Sequence, residues 1–171
     1  LATEAGRRAV LRETVRRAAE QNFRAVTTSP QWRSYVTISA TVLSLESVED
    51  QERVLRALRT AEATFIARMA RFYEDMGLIL GFRLRPWAPS FETLAAVGAS
   101  VVEGLGLRNL IAPDIVAQQI DFGPTQAQPW SIAAVGFYAI LDQFVEPIPD
   151  YDLPSALAAY LKRLSEREAL A

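Results

Sequence analysis

An all-α fold is predicted by three features of this sequence. Apolar residues recur at three-and-four spacing over stretches of helical length, Ser29, Ser47 and Ser90 stand as caps directly before such stretches, and no segment sustains the alternation of a half-buried strand. At 171 residues the chain can bury a core as one unit, and it has no repeat, linker or low-complexity run. Residues 1–171 are therefore expected to form a single helical domain.

The first helix is expected over residues 3–28, where Leu11, Val15, Ala18, Ala19, Phe23 and Val26 make an apolar stripe opposite a face of Arg and Glu. Ser29 and Pro30 open a second helix through Trp32, Tyr35 and Val36, although β-branched residues are mixed into it. From Ser47, with acids in its first turn, a long helix runs to Gly77 on the stripe Leu55, Leu58, Glu62, Phe65, Met69, Phe72 and Met76. Glu62 is the odd member, a carboxylate where an apolar residue fits. The stretch LILGFRLRPWAP, with two prolines and a glycine, reads as a connecting loop or short extended piece. Ser90 caps SFETLAAVGASVVEGLGLRNL, a helix that ends near Ala112 and Pro113. Residues 113–129 hold a short helical turn and then the break Gly123-Pro124. After Pro129, WSIAAVGFYAILDQFVE is a helix that stops at Pro147, and SALAAYLKRLSERE closes the chain as an amphipathic helix.

Two of these helices carry too little charge to pack on one side only. The helix after Ser90 has only Glu92, Glu103 and Arg108 as charged groups and contains Gly98, Gly104 and Gly106, each costing about 1 kcal/mol relative to Ala unless a neighbour approaches closely. The helix after Pro129 has the same character. The pair is expected to pack on the core with one face and on a second copy of the chain with the other, through Gly98, Val101, Val102 and Leu105 on the first and Ala133, Phe137, Ile140 and Leu141 on the second. A single core with two central helices and no partner is the alternative. Neither run is expected to span a membrane: Glu103 and Arg108 interrupt the first and Asp142 ends the second, short of the ~20 apolar residues needed.

Composition removes whole classes of chemistry. With no Cys and no His, disulfides, thiolate nucleophiles, Cys/His metal sites and imidazole acid–base catalysis are all excluded, so no metal and no cofactor are expected. The net charge of −2 provides no basic field for nucleic acid, and residues 109–161 carry six acids and no base. The opening LATEAGRRAVLRE lacks the apolar run of a signal peptide, which makes the cytoplasm the expected compartment. Leu1 in place of Met points to a fragment, a processed product or a trimmed chain.

The order of the helices and the segments RMARFYEDMG, LGFRLRPWAPSFE, LAAVGASVVEGLGLRNL and WSIAAVGFYAILDQF together resemble the C-terminal regulatory domain of TetR-family transcriptional regulators. The resemblance covers most of the chain. It implies that VVEGLGLR belongs to one of two helices forming a four-helix bundle with a partner subunit. It also implies that a small, largely apolar effector binds among the preceding helices. The protein is then a transcriptional regulator, read as a repressor, and not an enzyme. The family's N-terminal helix-turn-helix has no counterpart in residues 1–171, so DNA binding is expected only through a domain missing from this chain.

On that resemblance the candidate effector contacts are Asn22, Trp32, Tyr35, Glu62, Phe65, Met69, Phe72, Trp87 and Phe91, aromatics with a few placed polar groups. Each is also an ordinary core residue type. Glu62 either orients a ligand or lies at the stripe's edge in water, and Arg83 and Arg85 form either a pocket mouth or a solvated loop. Two rival functions remain open: a small mutase- or lyase-like enzyme stabilising an anionic transition state with Arg and Glu, and a module that holds a different protein on the same apolar helices.

Overall fold

The computed structural model describes residues 3–122 and 128–169, which form seven α-helices and two very short antiparallel ribbons. Helix α1 spans Glu4–Thr28 and α2 spans Pro30–Thr41, followed by a 3-10 turn at Val42–Ser44. Helix α3 is Val48–Leu80, strand β1 Phe82–Leu84, α4 Phe91–Ile111 and α5 Pro113–Val116. Strands β2 (Gln119–Ile120) and β3 (Trp130–Ser131) lead into α6 (Ile132–Phe144), β4 (Val145–Pro147) and α7 (Leu153–Glu168). The expected Gly123-Pro124 break lies outside the described residues.

The helix starts are chemically marked. Hydroxyls of Thr3, Ser29, Ser47, Ser90 and Ser131 accept backbone N–H bonds from Gly6, Trp32, Asp50, Thr93 and Ala134, and the Asp152 carboxylate does the same for Ser155. The long helix passes the expected stop at Gly77 and ends at Leu80. Gly81, at φ 74°, supplies the left-handed cap and donates its N–H to the Gly77 and Leu78 carbonyls. Gly77 serves a different purpose: a Cβ there would stand 3.0 Å from the Phe82 carbonyl oxygen, so its small size lets the chain fold back onto α3.

That return is the first departure from an all-helical reading. Strand β1 pairs antiparallel with β4, Arg83 opposite Glu146, and the two side chains form an ion pair at 2.8 Å. Strand β2 pairs with β3 in the same sense. Trp130–Ser131 and Val145–Pro147 therefore trim α6 at both ends relative to the helix expected over residues 130–146. Pairings of two or three residues are too short to show alternation in the sequence.

Helices α1, α3, α4 and α6 pack against one another, and α7 lies along α3. Leu94 and Ala134 are fully buried at the centre with Leu80, Phe82, Trp130 and Val145 around them. Helix α7 is fastened by charge as well as by Ala156. Arg167 reaches Asp75 at 2.6 Å and Arg163 reaches Glu74 at 3.0 Å. By length and mean hydropathy α4 passes the test for a membrane-crossing helix, contrary to the count of uninterrupted residues, because Glu103 and Arg108 do not lower the average enough. In this fold α4 instead covers α3 and α6.

Candidate functional site

A cavity of about 730 Å³ lies among α1, α2, α3, α4 and α6, a size within the range of small-molecule sites. Asn22, Trp32, Tyr35, Glu62, Phe65, Met69, Phe72 and Phe91, eight of the nine candidate contacts, line it. Trp87 does not. It follows β1 in a turn, stays 59% exposed, and packs edge-on against Phe144 with ring centroids 5.1 Å apart. The nearby Arg83 pairs with Glu146 on the ribbon and does not line the cavity.

The walls have separate causes. The inward stripe of α3 carries Glu62, Phe65, Met69, Phe72 and Met76 at helical spacing, so one helix supplies a continuous side. Helix α2 brings Trp32 and Tyr35. Gly106 seats Trp32: a Cβ there would lie 2.7 Å from Trp32 Cζ2, so the indole rests directly on the α4 backbone. The Trp32 Nε1 is buried and has no hydrogen-bond partner.

The polar groups converge at one end. Tyr35 donates its hydroxyl proton to Glu62 Oε2 at 3.0 Å. Burial first, then this bond and the charges of Glu62 and Glu103, hold the Tyr35 hydroxyl above its ordinary pKa. Glu103, on α4, also lines the cavity, and its carboxyl is pushed up by burial first and by the Glu62 charge second. On the far side burial alone pushes Tyr73 up to about 12. Glu62 thus stands on the cavity wall, half-buried, with the Tyr35 hydroxyl donating to it. Its neighbour Glu103 was legible in the sequence only as one of three charged groups, with Glu92 and Arg108, on an otherwise apolar helix.

Because the folded state favours protonated Glu103, the ionised form prevailing at neutral pH weakens the fold. That loss sets in as pH rises from glutamate's ordinary 4.5 through the raised value and is absent below both. Glu103→Gln is therefore expected to melt a few degrees above the parent chain at neutral pH and to match it near pH ~4. Melting curves at the two pH values decide this, and an equal gain at both would sink the assignment.

The residues expected at a subunit interface are mostly turned inward. Gly98, Val102, Phe137 and Leu141 line the cavity, and Ala133 is 1% exposed in the core. Gly98 admits the Phe137 ring, whose Cε2 would stand 2.6 Å from an added Cβ, and Gly136 in turn receives Val101 at 3.1 Å. The close approaches are thus made within one chain by side chains, and these five residues are not free to meet a partner. Leu105 and Ile140 are half-buried. What α4 leaves outside is a different stripe at 3,4,3,4 spacing: Val97, Ser100, Gly104, Leu107 and Ile111, all exposed, with open space around Gly104.

A larger groove of about 940 Å³ runs along the outer side of α3 between Glu49 and Arg68. It is lined by a single helix carrying charges such as Arg53, paired with Asp50 at 2.6 Å, and it reads as a solvated face. Among the described residues no group of three or more Asp or Glu is placed to hold a metal ion. No family model, curated protein or solved structure matches this chain.

Proposed function

We propose that this chain is the effector-binding and dimerisation domain of a TetR-like transcriptional regulator. The observation that carries the reading is the cavity itself: about 730 Å³, bounded by five helices, lined mostly with aromatic and aliphatic side chains, with Glu62 and Glu103 as its charged groups. The resemblance puts an effector among the helices before the apolar pair, and α1, α2 and α3 supply much of the cavity's lining, with α4 and α6 closing it. The exposed apolar stripe of α4 beside α6 supports the second half of the proposal. A helix bearing Val97, Leu107 and Ile111 in water, with Ser100 and Gly104 between them, is suited to close packing against the same stripe of a second copy. In this reading DNA is contacted by a helix-turn-helix domain outside residues 1–171, and the domain described here performs no catalysis.

The absence of cysteine makes the test direct, because a single introduced thiol can be labelled cleanly. Light scattering at micromolar concentration is expected to return twice the chain mass. In that dimer, spin labels on Glu4→Cys, at the start of α1, are expected to change separation when a neutral apolar probe such as N-phenyl-1-naphthylamine fills the cavity. A monomer, or an unchanged label distance with the probe bound, would remove the regulator reading.

A further inference from the structure

The chemistry of the cavity wall narrows the effector class. Of its lining residues, Glu62 and Glu103 are charged and none is Arg or Lys, although residues 1–108 carry 15 basic side chains. The Arg68 guanidinium, 5.9 Å from the Phe65 ring centroid, belongs to the exposed outer groove of α3. Among the described residues neither Glu62 nor Glu103 takes part in an ion pair. Glu62 has the Tyr35 hydroxyl as a partial partner, whereas Glu103 has no side-chain hydrogen bond. A half-buried carboxylate favours a nearby counter-charge, and among the described residues neither of these has one within ion-pair distance. Burial first and the Glu62 charge second push the Glu103 carboxyl above its ordinary pKa.

Trp32, Tyr35, Phe65 and Phe72 are among the aromatic side chains that line the same cavity. The face of an aromatic ring attracts a cation and repels an anion, so the apolar part of the wall selects the same sign as the carboxylates. We infer that the cavity takes a lipophilic monocation, a bulky apolar body bearing a quaternary ammonium, phosphonium or protonated amine, with its charge at Glu62 and Glu103 and its body among the aromatic rings. This deepens the reading of the cavity as an effector site and rests on it. Anionic effectors of the same shape are rejected by charge, and neutral ones bind without the electrostatic gain.

Tetraphenylphosphonium and tetraphenylborate have nearly the same shape and opposite charge, and triphenylphosphine oxide is a neutral relative. Titration calorimetry of the intact chain in sodium buffer at neutral pH is expected to give the phosphonium an affinity at least about tenfold above the other two. The double variant Glu62→Gln with Glu103→Gln, which keeps shape and removes charge, is expected to abolish that preference and leave the phosphine oxide unchanged. Borate or phosphine oxide binding as tightly as the phosphonium would overturn the cation assignment while leaving the cavity as a ligand site. So would a double variant that keeps the phosphonium preference. Failure of all three probes to bind would overturn the ligand site and the assignment together.

Discussion

Gly98→Leu is expected to damage the fold, whereas Gly104→Leu is expected to leave each subunit folded and abolish the dimer. The two glycines sit on the same apolar helix six residues apart, and they face opposite worlds. At position 98 the first added carbon already stands 2.6 Å from the Phe137 ring, which itself packs on Tyr73 with centroids 5.6 Å apart. Relief requires Phe137 to swing into the cavity, so the cost is that of overpacking, about 1–3 kcal/mol, together with loss of probe binding. At position 104 an added Cβ meets nothing within 4 Å, and a lone subunit accommodates leucine freely. Circular dichroism and light scattering separate the outcomes. The first variant should show a melting point lowered by several degrees, the second full helicity with half the mass. A Gly104→Leu dimer as tight as the parent would exclude the Val97 to Ile111 stripe as the interface.

Arg12→Ala is expected to cost about 3 kcal/mol, from the loss of one charge-assisted hydrogen bond and three ring contacts that do not add fully. The Arg12 guanidinium carbon lies 4.7 Å from the Phe122 ring centroid, 4.9 Å from that of Trp130 and 5.5 Å from that of Tyr138, and the side chain donates to the Phe122 carbonyl. The three rings also meet edge to face, with centroids 5.2 to 5.9 Å apart. One cation thereby joins the first helix to the segment before α6 and to α6 itself. Arg12→Lys should recover only part of the loss, because the planar group that stacks on several rings is gone. Thermal melts followed by tryptophan emission report both effects, and an Arg12→Ala chain melting within a degree of the parent would refute the clamp.

Arg7 continues the apolar stripe of α1, four residues before Leu11, and Arg12 lies beside it, but nothing local in the sequence names the partner of either. Their partners lie more than 100 residues away: Phe122 for Arg12, and for Arg7 the Ile148 carbonyl together with the Tyr151 ring 4.9 Å from its guanidinium carbon. Helix periodicity records which face is apolar, not which distant aromatic later covers an arginine. What periodicity records well is local. The inward stripe from Glu62 to Met76, the caps Ser29, Ser47 and Ser90, and the reach of α4 were all legible, because each depends on residues within a few positions of one another. The glycines of α4 were legible as close approaches but not as to whom. Two of them admit side chains of the same chain, Phe137 and Trp32, while the third opens to solvent. Small residues permit contact on whichever side they face, and only the packed chain assigns the side.

Helix α4 is one helix thick, about 10 Å, and the proposed function assigns a role to both of its faces. Gly98, Val102 and Glu103 border the cavity, and Val97, Gly104 and Leu107 are the outer surface one residue away on the wheel. A rigid rod cannot be displaced on one face alone. Any effector that moves α4 outward by a fraction of an ångström therefore alters the shape offered to a second subunit. By thermodynamic reciprocity, whatever factor effector binding contributes to association, association returns to effector binding. In the proposed dimer, effector affinity is therefore expected to depend on protein concentration, and a dose–response curve measured on dilute subunits is expected to differ from one measured on the dimer.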